Sequence, residues 1–300
     1  MILEEKKTRV GIAAYDAGAA NIIYSLIREF DHHEYFFHVD GPARYIFGNK
    51  KNFINFNLQD LQSNCDILIS GTGWQSRHEY NARKLFKDNN KFVVSVIDHW
   101  VNYKERFKHD NKNLFTDELW VNDQKAYLKA KKDLDFKNIK IIENYYLRDV
   151  LRNIKKVDKN NGKSILYFSE PIRNHREELR EYRHIDFLRL AIEHYDLSEL
   201  NVVFRTHPTE SKEKYQDYLN ATLDNFIFDS EESIESSIAN SAYVFGIQSM
   251  ALYLSASYGK PTFSVLLPDD GMLVIPSDNI VQVRKNIDLV KKLPKSFHKN

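Results

Sequence analysis

"AYVFGIQSMALYLSASYGKPTFSV", residues 242–265, packs a strand, a turn, a helix and a second strand into one short stretch. Apolar residues lead to Gly246, and Gln248 and Ser249 occupy a tight turn. An apolar helical pattern then runs to about Tyr258, Gly259 stops it, and Pro261 opens the next apolar run. A strand reached through a helix returns parallel to the strand before it, because a crossover of that length brings the chain back to the same end of the sheet. The stretch therefore predicts a parallel sheet covered by helices on both faces.

The same rhythm continues upstream. "SILYFSE" (164–170), an amphipathic segment from about Glu177 to His194, "NVVFRTH" (201–207), "KEKYQDYL" (212–219), "NFIFD" (225–229) and "SIESSIANS" (233–241) alternate between strand and helix patterns. Earlier, "TRVGIAAY" (8–15), "AANIIYSLIREF" (19–30), "YFFHVD" (35–40), "CDILIS" (65–70), "EYNARKLFKDN" (79–89), "KFVVSVID" (91–98), "ELWVND" (118–123) and "QKAYLKAKKDL" (124–134) do so again. A polar stretch, "IKKVDKNNGKS" (154–164), separates the two series and reads as a linker. The expected architecture is α/β, with two Rossmann-like doubly wound domains, residues 1–157 and 158–300, facing a central cleft. The closing "SDNIVQVRKNIDLVKKL" (277–293) has an apolar face at helical spacing and is expected to be a helix.

Composition narrows the class of partner. Lys plus Arg number 43 against 42 Asp plus Glu, a formal net charge of +1, so there is no global attraction for a polyanion and nucleic acid is an unfavoured partner. The one cysteine, Cys65, lies in an apolar run and excludes a disulfide within the chain. No run approaches the ~20 apolar residues of a membrane span, and the start lacks the apolar core of a secretory signal. A cytoplasmic protein is expected. The Lys-rich "NIKKVDKNNGK" (153–163) and "VKKLPKSFHKN" (290–300) leave room for a peripheral contact with a membrane surface.

In open α/β sheets, ligands gather at the carboxyl ends of strands. The turn at Gln248 and Ser249 offers a hydroxyl, an amide and free backbone N–H groups at a helix start, which suits an anion, although Ser249 can equally be an ordinary N-cap. "NVVFRTH" ends on Arg205 and His207, and Pro208 stops the strand. If both strands share a sheet, Arg205, His207 and the 248–249 turn can surround one phosphate. "YFSEPIRNH" (167–175) places Ser169, Glu170 and Arg173 after another strand, as ligand contacts or as a surface ion pair.

Three loops of the first half carry chemistry. "AAYDAGAANII" (13–23) holds Asp16 and Gly18 at a tight strand-to-helix turn, without the GxGxxG of dinucleotide sites; Asp16 is a base candidate or a helix cap. "SGTGWQSRHEYNARK" (70–84) offers Gly71 and Gly73 as a cradle and Glu79, otherwise a solvated first-turn acid. "VIDHWVNYKERF" (96–107) presents Asp98 and His99, followed by Trp100, Tyr103 and Arg106, as a sugar site or as packing. "DLD" (133–135), "DHH" (31–33), His175 and His184 lack metal-ligand spacing and are read as exposed, so no metal is expected.

With its HP pair at His207–Pro208 and Ser249 in the later turn, the chain resembles GT-B glycosyltransferases, in particular bacterial sialyltransferases and their relatives that use CMP-activated nonulosonic or Kdo sugars. Those enzymes carry a Ser/Ser or Ser/Thr pair where this chain has Gln248 and Ser249. The resemblance implies an inverting transferase of surface-polysaccharide assembly needing no metal or other cofactor. Its partners are a nucleotide-sugar donor and a glycan or lipid-linked glycan acceptor. Asp16 or Asp98 is then the base, with His207 and Arg205 stabilising the leaving phosphate. The RxHP strand end is also similar to that of CDP-glycerol glycerophosphotransferases. A UDP-sugar transferase or a UDP-N-acetylglucosamine 2-epimerase keeps the fold; such epimerases carry a Glu near the equivalent of 246–250, which is absent here. A nucleotide-sugar binding module without chemistry is the non-enzyme alternative.

Overall fold

The computed structural model describes residues 2–4, 6–48, 53–74, 76–109, 112–113, 116–158, 162–172, 180–208, 210–231 and 233–285. Packing divides the chain into two compact units, Met1–Asp149 and Val150–Asn300.

In the first unit, β1 (Arg9–Ala14), β2 (Glu34–Val39), β3 (Ile67–Ser70), β4 (Phe92–Val96), β7 (Glu118–Val121) and β8 (Ile139–Ile141) form a six-stranded sheet in the order β2-β1-β3-β4-β7-β8, every pair parallel. Two short strands, β5 (Lys108–His109) and β6 (Lys112–Asn113), pair separately. Helices α1 (Ala17–Glu29), α2 (Ala43–Gly48), α3 (Leu58–Asn64), α4 (His78–Asp88) and α5 (Gln124–Leu134) connect the strands, and α6 (Tyr145–Val157) carries the chain across the boundary between the units. Central strands such as β3 are buried along their whole length, which is why "ILIS" reads as a continuous apolar run rather than an alternation. Val10, Ile12, Ile69, Val94 and Trp120 build one core with Ile23 and Leu26 of α1. Leu68, Ala82, Phe86 and Val93 build a second.

In the second unit, β9 (Ser164–Phe168), β10 (Asn201–Arg205), β11 (Phe226–Phe228), β12 (Tyr243–Gly246), β13 (Thr262–Ser264) and β14 (Ile280–Gln282) form another parallel sheet, ordered β11-β10-β9-β12-β13-β14. Helices α7 (Arg180–His194), α8 (Glu213–Thr222), α9 (Ile234–Asn240) and α10 (Met250–Tyr258) lie between its strands in sequence. Gly259 closes α10 with φ +97°, a left-handed conformation that glycine adopts without strain.

The structure departs from the sequence expectations in three places. Residues 154–157 of the expected linker are the last turn of α6, because Val150 and Ile154 bury an apolar stripe that continues the helix. The expected closing helix begins instead with strand β14, where Ile280 is buried and Thr262–Ser264 supply a ladder partner; residues beyond 285 lie outside those described. Among the histidines read as exposed, His33 and His184 are buried. The Thr8 N–H donates to His33 Nδ1 (3.1 Å) and His33 Nε2 donates to Leu3 O (3.0 Å). In "DLD", Asp133 pairs with Lys129 and Asp135 caps α5, as an ordinary helix end. No described helix is long and apolar enough to cross a membrane.

Both sheets contain a topological switch point. In the first, the chain leaves β1 for β2 on one side and crosses back to β3 on the other; in the second, β9 lies between β10 and β12. Loops diverge there, and in open α/β sheets this is where ligands bind.

Candidate active site

At the first switch point a carboxylate joins the two diverging loops. Glu79, in the first turn of α4, is wholly buried. The Tyr15 N–H donates to its Oε1 (3.0 Å) and the Gly73 N–H to its Oε2 (2.5 Å), so the chain after β1 and the chain after β3 hang on one side chain. A Cβ on Gly71 would lie 2.2 Å from Glu79 Oε1, and one on Gly73 would lie 2.5 Å from both Glu79 Oε2 and Asp16 Oδ2. These glycines are required by the close approach of backbone to carboxylate rather than by flexibility. Asp16 holds the N-cap position of α1 in extended conformation, but its side chain makes no capping hydrogen bond.

Burial, reinforced by the neighbouring charge of Asp16, pushes the Glu79 carboxyl up to about 7; Arg83 and the two backbone donors oppose this. The folded value lies above the unfolded 4.5, so the native state holds the proton more tightly. The resulting stabilisation is complete below pH 4.5 and is lost as pH rises through about 7. We expect the wild-type protein to lose on the order of 3 kcal/mol across that window at about 1.4 kcal/mol per pH unit, and Glu79→Gln to remove this slope. Denaturant unfolding of both proteins at a series of pH values measures it; parallel curves would show that Glu79 titrates alike in the folded and unfolded chains.

Next to this pair stands a buried arginine layer. Arg83, one turn after Glu79, is fully buried and donates through Nη1 to Gly71 O (2.7 Å) and through Nη2 to Arg106 O (3.1 Å). Arg106 Nη1 donates to Asp98 Oδ1 (2.9 Å) and to Thr72 O (3.3 Å), with both side chains of the Asp98 pair largely buried. Asp98 follows β4, and its other oxygen lies against the first turn of α1, where a Cβ on Gly18 would fall 1.9 Å from Oδ2. The α1 N-terminus adds its own positive end to the carboxylate. Asp16, Glu79 and Asp98 thus share one end of the sheet, over the ends of β1, β3 and β4. Close by in sequence, His99 Nδ1 and Tyr103 Oη are buried without hydrogen-bond partners, and burial lowers the affinity of His99 for a proton. Trp100 is packed, its Nε1 donating to Asp123 Oδ2 (2.7 Å).

The second unit repeats the device. Glu170, after β9, accepts the N–H of Gln248, after β12, at 3.0 Å, and burial raises its carboxyl pKa against that donor. Gln248 Oε1 and Ser249 Oγ are closed to solvent without partners, and Ser249 is the N-cap residue of α10 although its side chain makes no capping bond. Ser169 is 5% exposed and internally satisfied: its Oγ accepts the His207 N–H (2.8 Å) and donates to Glu210 Oε2 (2.8 Å). The ligand contact expected at Ser169 gives way to a positioning contact that fixes His207, which Pro208 follows as an exposed turn residue.

Arg205 differs from its expected role. Its Nη1 donates to Asp229 Oδ2 (2.7 Å), Glu231 O (2.9 Å) and Ser237 Oγ (2.9 Å), directed at the β11 side rather than at the 248–249 turn. The reason is strand alternation: Phe204 takes the core position, and Arg205 falls on the opposite side beside Asp229. Arg173 lies outside the described residues.

Sequence reading missed Arg83. Its signal was a charged residue four positions after Glu79, sharing the buried face of α4 with Tyr80 and Phe86. It also missed the cluster of Arg180, His184 and Asp270. There, burial disfavours the Asp270 anion, but His184 and Arg180 outweigh it and hold the carboxyl far below its usual range. Among the described residues, no group of three or more His, Cys, Asp or Glu is placed to hold a metal ion.

No family description matches the sequence, and no curated protein matches it. Solved structures do match the fold. The UDP-GlcNAc 2-epimerase of Methanocaldococcus jannaschii, in complex with UDP-GlcNAc and UDP, is similar at a TM-score of 0.67 and 11% identity, over 97% of this chain and 93% of that one. The UDP-GlcNAc 2-epimerase of Neisseria meningitidis, bound to UDP-GlcNAc, is similar at 0.64 and 12% identity, over 96% and 93%. The glycotransferase of kitacinnamycin follows at 0.55 and 10% identity, over 96% and 91%. The chain has the two-unit α/β fold of these proteins, the GT-B fold.

Proposed function

We propose that the chain is a nucleotide-sugar enzyme that moves protons at the sugar of a UDP-sugar, with chemistry of the 2-epimerase type. The observation that carries this reading is the gathering of Asp16, Glu79 and Asp98 at one switch point, in unlike surroundings. Inverting a carbon centre needs one group to take the proton from one face and another to return a proton to the opposite face, whereas sugar transfer to an alcohol needs a single base. Asp98, paired with Arg106, and Asp16, beside the raised carboxyl of Glu79, are two acids of unlike environment, which is how acid and base roles are divided at one pH.

Two further features support the reading. The fold is that of epimerases bound to UDP-GlcNAc and UDP. The turn after β12 lacks the acid that a resemblance to 2-epimerases implies there, but Glu170 brings a carboxyl group to the same turn from β9. Within the second unit, His207 and the backbone donors at the start of α10 offer groups for a diphosphate.

Incubation with UDP-GlcNAc in D₂O tests this. The expected result is deuterium at sugar C2 and appearance of the 2-epimer by NMR. Absence of both, with turnover of a CMP-sugar, would overturn it in favour of the second reading. That reading is an inverting transferase moving a nonulosonic or Kdo-type sugar to a glycan or lipid-linked glycan at the cytoplasmic membrane face. His207–Pro208 and the unpartnered Ser249 hydroxyl favour it.

A further inference from the structure

A cavity of about 460 Å³ lies at the amino ends of β10 and β11, at the opposite end of that sheet from His207 and Ser249. Its walls are α7, through Asp186, Arg189 and Glu193, and the last turn of α8. Its floor is apolar, made by Ile192, Leu200, Val202 and Leu223. The volume is that of a small-ligand pocket, and the five residues of β10 put it about 16 Å from the strand's carboxyl end at ~3.3 Å per residue.

One side chain of its lining is incompletely satisfied. Asp186 is 5% exposed; its Oδ1 accepts the Tyr218 hydroxyl at 2.6 Å, and its Oδ2 has no hydrogen-bond partner and is closed to solvent. Native structures rarely leave such an atom unpaired. Burial raises the Asp186 carboxyl pKa, against the Tyr218 donor.

The lining selects what can pair with that oxygen. Among the lining residues, Asp186, Glu193 and Asp224 face one cation, Arg189, which is engaged with Glu193; Arg183, outside the lining, adds a second positive charge near Asp186. Ala221 and Thr222 end α8, so its carbonyls contribute further negative potential. The site therefore asks for N–H donors carrying positive charge. A bare metal ion does not suit it: no metal-holding group occurs among the described residues, and the apolar floor offers no ligands. An organic cation satisfies both halves of the lining.

We infer that this cavity binds a small organic ammonium compound, with its N–H donors on Asp186 Oδ2 and its carbon skeleton on Leu200, Val202 and Leu223. Arg189 and Glu193 are an i,i+4 pair on the rim, the Arg189 side chain being 36% exposed. Such pairs are weak, so Arg189 can leave Glu193 at little cost and make room for a ligand ammonium among the carboxylates.

The probe is 1,4-diaminobutane, with 1,4-butanediol as its uncharged counterpart of equal length, each titrated calorimetrically into the full chain. We expect saturable binding of the diamine and none of the diol. Asp186→Asn keeps an acceptor for Tyr218 but replaces the unpaired oxygen by a donor, and is expected to weaken the diamine about tenfold or more. Asp224→Asn, at an exposed position, also weakens it and serves if the first variant fails to fold. Equal diamine affinity in wild type and variants places binding elsewhere and overturns the inference. So does a diol that binds as tightly as the diamine, or a diamine that never saturates.

Discussion

Asp98→Asn is expected to lower turnover of the nucleotide sugar by roughly 10² to 10⁴, the usual contribution of a positioned acid or base. Asparagine is the informative replacement. Arg106 Nη1 donates to Asp98 Oδ1 at 2.9 Å, and an amide oxygen can still accept that bond, whereas alanine would leave a buried guanidinium unpaired and mix catalysis with unfolding. The oxygen against Gly18 becomes an amide that cannot take a proton. Steady-state kinetics together with the melting temperature separate the two effects. A variant of wild-type melting temperature and near-wild-type turnover would remove Asp98 from the chemistry.

His207→Ala is expected to cost roughly 10² to 10³ in turnover, the range for removing a preorganised donor to developing charge. The reason lies in how firmly the backbone of His207 is held. Its N–H is fixed by Ser169, and the Ser169 hydroxyl is fixed in turn by Glu210, which also accepts the Tyr215 hydroxyl at 2.8 Å. A residue anchored in this way loses little freedom when it meets a ligand. Thermal shift with UDP measures the binding side of the same variant, since a ligand that binds only the folded state raises its stability. Unchanged turnover with an unchanged UDP shift would release His207 from the site.

The two sheets share a construction that neither variant addresses alone. In each, a side-chain carboxyl of raised pKa accepts a backbone N–H from across the switch point: Glu79 joins the chains after β1 and β3, and Glu170 joins those after β9 and β12. Parallel strands that diverge at a switch point cannot hydrogen-bond beyond their ends, so the loops need another tie. A carboxyl group supplies it with two acceptor atoms.

Most of the architecture was legible in the sequence because burial on both faces of a parallel sheet leaves a plain signature. The apolar run at 65–70, the helical stripe at 19–30 and the Gly259 stop needed no tertiary information; they became β3, α1 and the end of α10. The region after Ser277 was misread because the apolar spacing of Ile280, Val283 and Ile287 fits a helix as well as a strand followed by a turn; the vacant ladder beside β13 decided it. Local sequence could place Asp16, Glu79, Asp98 and His207 after strands, since residue order fixes which loop carries them. Their environments were another matter. Glu79 reads as a solvated first-turn acid until packing buries it under Gly71 and Gly73, and Arg205 reads as a phosphate ligand until Asp229 arrives from the neighbouring strand. Periodicity along the chain determined the elements and the loops, because backbone hydrogen bonding and apolar burial repeat with the sequence. Only the tertiary structure decided which charges meet, because a carboxylate's partner, its pKa and its exposure are set by residues distant in sequence that the strand order brings alongside.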